Sequence, residues 1–234
     1  MGEDHEKTGN SYYELGLTQY MLVDYTSATE SHKRALNIRK KVLGEDYEKT
    51  ALSYFNLGVT QYTFKDYASA TESHKRGLNI RQKVLGEDHE KTADSYRQLG
   101  LYQYMLVDYT SATESHKRAR NVRKKVFGED HERTAVSYCN LGVTQYMLKD
   151  FVSATESHKQ ALNIRQKVLV EDCEKTADSY HKLGVTQYMF VDYTSATESN
   201  KRALNIRKKV LGEDHEKTNL SYFNLGVTQY MRKD

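Results

Sequence analysis

The residues best suited to chemistry in this 234-residue chain are nine histidines, and eight of them fall into two recurring columns. One column is His32, His74, His116 and His158; the other is His5, His89, His131 and His215. Imidazole ligates metals and moves protons near neutral pH. A metal site, however, needs several ligands that converge on one point. Where the pattern continues, the first column becomes Asn200 and the second becomes Tyr47 and Cys173. His131-Glu132-Arg133-Thr134-Ala135 opens like a zinc-binding helix but lacks the second histidine that such a helix needs. Ser73-His74 recurs too, but adjacent residues on a helix point in different directions and cannot form a catalytic pair by themselves. No nucleophile elbow, phosphate loop or paired-carboxylate pattern is present. Neither catalysis, a metal nor any other cofactor is therefore expected. His74 and its equivalents are instead expected at a half-buried helix contact, hydrogen-bonded to a neighbouring Tyr or Gln.

Lys75-Arg76 and Arg81 to Lys83 form a basic stretch that also recurs, with Glu72, Glu87, Asp88 and Glu90 close by. Mixed charge of this kind reads as a solvated face. With a net charge of only +3, nucleic acid is not an expected partner. No apolar run approaches the length of a membrane span, so a membrane is not expected either. Cys139 and Cys173 each occur once, in columns that otherwise hold other residues. They read as substitutions, not a disulfide framework, and fit a reducing, cytoplasmic setting.

These columns exist because one 42-residue sentence is written five times, at Thr8–Lys49, Thr50–Lys91, Thr92–Arg133, Thr134–Lys175 and Thr176–Lys217. A sixth copy runs from Thr218 to Asp234, and residues 1–234 read as a single repeat array. A fixed period of this size marks a stacked repeat protein. In the second copy, Ala51–Phe64 places Tyr54, Leu57, Gly58, Gln61 and Tyr62 at helical spacing. Asp66 suits the N-cap of a second helix from Tyr67 to about Leu85, with Ala70, His74, Gly77, Leu78, Val84 and Leu85 facing inward. Gly86 suits a left-handed residue ending that helix, and Asp88 can cap the next one. Absence of Pro fits long unbroken helices. Gly58 recurs in all six copies inside a helix, where it costs roughly 0.5–1 kcal/mol relative to Ala, so close helix packing is expected there.

Tyr54, Leu57-Gly58, Tyr67, Ala70 and Leu78 resemble the signature of a tetratricopeptide repeat. With the link KVLGEDHEKT, the chain is similar to the 42-residue repeat of kinesin light chain. The resemblance implies an all-α, right-handed superhelical solenoid of antiparallel helix pairs, with the first helix of each pair on the concave side. It departs from the family's pattern at Tyr54 (usually Trp), His74 (usually a large apolar residue), Glu90 (usually Pro) and Gln61, which holds the slot of a Tyr displaced by one place.

Differences between copies carry the functional reading. Four columns alternate, so the duplicated unit spans two repeats: Leu52, Val136 and Leu220 against Asn10, Asp94 and Asp178; Asn56, Asn140 and Asn224 against Glu14, Gln98 and Lys182; Lys65, Lys149 and Lys233 against Val23, Val107 and Val191; Gln82 and Gln166 against Lys40, Lys124 and Lys208. Positions such as Glu72, Lys75, Asn79 and Arg81, which read as solvent-facing, barely change. The most variable column is Tyr13, Phe55, Arg97, Cys139, His181 and Phe223. By the resemblance it faces the groove, as do Val59 with its equivalents and the ladder Tyr20, Tyr62, Tyr104, Tyr146, Tyr188 and Tyr230. Together with Asn56 and Asn140, these residues are expected to bind an extended peptide or helix of a protein partner. The alternative is a structural, self-associating rod, in which Leu220, Phe223, Val227 and Tyr230 of the last first-helix pair between chains as a homodimer or an end-to-end stack.

Overall fold

The computed structural model describes residues 5–169 and 173–232; Lys233 of the alternating columns lies outside them. Among the described residues the chain is all helix. First helices are α1 (Glu6–Met21), α3 (Glu48–Thr63), α5 (Glu90–Met105), α7 (Glu132–Met147), α9 (Glu174–Met189) and α11 (Glu216–Met231). Second helices are α2 (Tyr25–Leu43), α4 (Tyr67–Leu85), α6 (Tyr109–Phe127), α8 (Phe151–Val168) and α10 (Tyr193–Leu211). Two compact units divide the chain, the first ending at Val122 and the second beginning at Arg123. No described helix is long and apolar enough to cross a membrane.

Each pair is antiparallel and closed by a glycine notch. A Cβ at Gly58 would stand 2.5 Å from the His74 ring, and Gly16, Gly100 and Gly142 meet His32, His116 and His158 in the same way. In the fifth pair Gly184 meets Asn200. Beside each notch a serine hydroxyl donates to a glutamine Oε1 at 2.7 Å, Ser31 to Gln19 and Ser73 to Gln61 in the first unit, Ser157 to Gln145 and Ser199 to Gln187 in the second. Small residues make the approach possible: Ala28, Ala51, Ala70 and Ala135 are wholly buried.

Successive pairs are joined by an arginine. Arg81 is only 5% exposed and donates through Nη1 to the Lys91 carbonyl (3.0 Å) and to Ser95 Oγ (2.7 Å) of the next first helix. Arg39, Arg123, Arg165 and Arg207 repeat the bond to a serine, at Ser53, Ser137, Ser179 and Ser221. A threonine then fastens the links that begin with glycine, as Thr92 Oγ1 donates to the Gly86 carbonyl at 2.9 Å, with Thr50, Thr134 and Thr218 bonded alike to Gly44, Gly128 and Gly212.

Several expectations from the sequence need correction. α3 starts at Glu48, three residues before Ala51, because the link's acidic residue already sits in its first turn. The N-cap of α5 is His89, not Asp88: His89 Nδ1 accepts from the Lys91 amide at 3.1 Å. His5, His131 and His215 cap in the same way, whereas Tyr47 and Cys173 make no side-chain cap bond. Val84 is exposed, since α4 has 19 residues against 16 in α3 and its last turn overhangs. Gly86 has positive φ but extended ψ (89°, 166°), a conformation nearly confined to glycine. In the fourth copy this glycine is Val170, outside the described residues, and α8 ends one residue early, at Val168. The Arg81 column is buried, not solvated. His74 is fully buried, and its Nε2 has no hydrogen-bond partner, because Gln61 is taken by Ser73.

Candidate functional site

The first helices carry the residues singled out for binding, and their rings pack back onto the second helices. Tyr20 lies 5.2 Å from Tyr25, Tyr62 5.5 Å from Tyr67, and Tyr104 5.4 Å from Tyr109 in the first unit. In the second unit Tyr146 meets Phe151 and Tyr188 meets Tyr193, both at 5.5 Å. The ladder is thus half core. One face of each of these five rings closes its own helix pair, and the remainder stays open, whereas Tyr230 is 71% exposed.

The variable column sits above the buried arginines. The Arg39 guanidinium lies 4.4 Å from the Tyr13 ring, and Arg81 lies 4.9 Å from Phe55. Phe55 also meets the His74 ring edge-on at 4.9 Å. Arg97 and His181 are half-buried, whereas Cys139 is buried, so the column is not uniformly open. His181 Nδ1 and Asn224 Nδ2 lie 3.2 Å apart, which links a variable position to the next repeat's alternating asparagine. Asn56, Val59 and Asn140 are half-buried beside these groups.

Burial controls the imidazoles here. It pushes His74 and His158 down to about 3, and Arg81 with Arg97, or Lys182, pushes the same way. His32 and His181 fall to about 4, again through burial first, then Arg39 for His32; at His181 Arg207 and Lys182 lower the value while Asp178 raises it. At neutral pH these rings are neutral, which suits their packing in helix contacts. Among the described residues no cluster of His, Cys, Asp or Glu is arranged to hold a metal.

In the second unit several predicted residues converge. Tyr146, Tyr188, Phe223, Asn224 and Val227 line one mainly apolar cleft of about 250 Å³ with Met189. Leu220 and Tyr230 lie open on α11. Sequence reasoning missed Tyr102, which is almost wholly buried. It fills the space between Tyr62 (5.1 Å) and His74 (4.7 Å) in the first unit. The signal was present, because Tyr102 stands where other copies have Thr18, Thr60, Thr144, Thr186 and Thr228.

Two of the four alternating columns also acquire polar partners, and a third marks a turn. Asn10 and Asp178 accept from the second guanidinium nitrogen of Arg39 and Arg207. Where the column holds Val136, Arg165 reaches Glu132 instead, at 3.3 Å. Gln82 and Gln166 donate to the Tyr96 and Tyr180 hydroxyls, whereas Lys40, Lys124 and Lys208 pair with Glu45, Glu129 and Glu213. Val23, Lys65, Val107, Lys149 and Val191 all occupy the turn position with φ of 60–66°.

The tetratricopeptide repeat model matches residues 23–83, 65–125, 106–167 and 148–209. Comparison with curated proteins gives no match. Among solved structures, BtubC (BKLC) from P. vanneervenii shares 22% identity with a TM-score of 0.78, over 88% of this chain and 82% of that one. A protein of nearly identical TPR-like repeats from Podosopora anserina, named as a kinesin light chain, shares 18% at a TM-score of 0.79, over 90% and 99%. The tetratricopeptide-sensor STAND protein PH0952 from Pyrococcus horikoshii shares 17% at 0.81, over 98% of this chain and 34% of that one. At these identities the likeness is one of fold. With antiparallel helix pairs at a 42-residue period and the repeat model matched four times in succession, the chain belongs to the tetratricopeptide repeat family.

Proposed function

We propose that the first-helix face of this repeat array captures an extended or helical segment of a partner protein. Tetratricopeptide repeats generally mediate protein–protein interaction or scaffolding, typically without catalysis. The carrying observation is the cleft in the second unit, where Tyr146, Tyr188 and Phe223 present apolar surface beside the Asn224 amide. Rigid aromatic rings with a polar tip gain contact area at small entropic cost. Tyr62 and Tyr104 offer the same half-open rings in the first unit, next to Phe55 and Arg97, where the repeats differ most. The free thiols of Cys139 and Cys173 support a cytoplasmic setting. The test is selection of a displayed random-peptide library against the whole chain. Selected peptides should lose retention when Tyr62, Tyr104 and Tyr146 are all changed to Ala; unchanged retention on that folded variant would refute groove capture.

A second reading, self-association, is favoured by α11, whose Phe223 and Tyr230 are 67% and 71% exposed. It predicts a mass in light scattering that rises with concentration and returns to one chain when both residues are changed to Ser.

A further inference from the structure

The first unit fills a space that the second leaves open. Where the pair α3–α4 meets the next first helix, α5, the Tyr102 ring lies 5.1 Å from Tyr62 and 4.7 Å from His74 and is almost wholly buried. The residues at those three positions where α9 and α10 meet α11 are Tyr188, Asn200 and Thr228. All three line the cleft of about 250 Å³ in the second unit. Two shortenings therefore coincide there, Thr228 for Tyr102 and Asn200 for His74. At the neighbouring junction of that unit Thr186 makes the first change alone, and the buried His158 ring remains.

The space belongs to the junction itself. α6 covers the other face of α5, where the His116 ring meets Gly100, and the Tyr102 ring is held all the same. On α11 the residues concerned face the preceding pair: Thr228 is buried, and the Asn224 amide lies 3.2 Å from His181 of α9. The molecule thus records one occupant of this shape, a phenol ring. Asn200 adds the polar chemistry. It is 2% exposed, its Nδ2 donates to the Asn224 carbonyl at a long 3.4 Å, and its Oδ1 has no hydrogen-bond partner. A buried amide oxygen without a partner costs free energy that a donor in the cleft would recover. The torsion that aims this amide is broad, so Oδ1 can turn toward such a donor.

We propose that this cleft binds a small monocyclic phenol, its ring against Tyr188 as Tyr102 lies against Tyr62 and its hydroxyl donating to Asn200 Oδ1. A tyrosine of a peptide fits less well. Tyr102 enters its space from α5, and the matching side of the cleft is walled by Thr228 on α11, where a second backbone has no path. Met189 lines the cleft and is exposed, so a free ring enters beside it. The inference goes beyond capture of a partner segment and does not rest on it.

The probe is p-cresol, titrated into the whole chain by isothermal calorimetry, with circular dichroism on the same samples. A single saturable site is expected, with toluene bound several-fold more weakly because it has no hydroxyl for Asn200. Thr228→Tyr should fill the cleft from within, as Tyr102 does in the first unit. It should weaken p-cresol about tenfold or more and raise the melting temperature by about 3 °C. Asn200→His narrows the space with the residue that other copies use and should weaken p-cresol several-fold. N-acetyltyrosine amide carries the same ring on a peptide unit and should bind more weakly than p-cresol. Tighter binding would assign the cleft to a tyrosine of a partner segment and overturn the proposal. Absence of saturation, equal binding of toluene, or undiminished p-cresol binding by folded Thr228→Tyr would overturn it too.

Discussion

One residue change should act with opposite signs at two copies of the same position. Gly58→Ala places a methyl group 2.5 Å from the His74 ring and 3.3 Å from the Ala70 carbonyl, and neither can withdraw from a packed helix contact. Overpacking of this kind costs about 1–3 kcal/mol. Gly226→Ala meets nothing within 4 Å, so the helix gains roughly 0.5–1 kcal/mol from lost backbone freedom in the unfolded chain. Urea denaturation of both variants reads the contrast; equal effects would remove the notch as the reason for glycine. The histidine in that notch sets the acid response. Folded values of about 3 for His74 and His158 and about 4 for His32 and His181 lie below the unfolded value of about 6.5. The unfolded chain therefore binds the proton first. The stabilisation is complete above pH 6.5 and falls with pH down to the folded values, by about 1.4 kcal/mol per unit for each ring. Melting temperature should drop between pH 7.5 and 5.5, and His74→Asn, the choice already made at Asn200, should reduce that drop. A pH-independent melting temperature would contradict neutral burial. The sequence indicated the close glycine contact and a histidine at a helix contact, though one only half-buried. It did not indicate that the ring forgoes a hydrogen bond, because that depends on Ser73 reaching Gln61 first.

Between elements, the buried arginine is the joint the sequence concealed. Arg81 varies no more than Glu72 or Asn79, and near-identity among copies removes the contrast by which a buried charge would stand out. Its place on α4 shows the cause. Arg81 follows Leu78 and Gly77 on the inward stripe, yet its long side chain passes beneath the Phe55 ring to reach the next first helix. The alternating columns follow from this. An arginine with two fixed acceptors has donors left over, and one of them finds a partner in Asn10 or Asp178, or in Glu132, while the buried Nε of Arg39 and Arg207 stays without one. Arg81→Met keeps the apolar stem and removes both bonds to the following helix. Hydrogen bonds to a charged donor contribute about 1.5–3 kcal/mol each, partly offset here by relief of burying the charge, so a net loss of about 2–4 kcal/mol is expected. Chemical denaturation measures it; a change below about 0.5 kcal/mol would demote the arginine to a bystander.

For the whole molecule, the 42-residue period made the architecture legible, because each repeat can bury its apolar faces only against its neighbours. Helix type and the Asp66 cap followed from local rules. The Gly86 terminus followed only in part, since its ψ is extended. Helix starts and the His89 cap did not follow, since a His, Tyr or Cys at that position hides a backbone-determined boundary. The candidate groove was legible as a list of positions. How far each ring opens was not, since Tyr62 and its equivalents divide their surface between core and solvent. Nearest-neighbour stabilisation also predicts where the chain opens first. α9 packs against α8 on one side and α10 on the other, and also touches α11, whereas α11 packs only on α10 with a lighter touch on α9 among the described residues. Its Tyr222, Phe223 and Tyr230 contribute little buried area. Local opening of α11 therefore needs fewer contacts broken, and its amides should exchange with solvent about a hundredfold faster than those of α9. Hydrogen exchange read by mass spectrometry resolves the two segments. Equal protection of α9 and α11 in the chain alone would mean that stability is shared along the second unit, not set by neighbours.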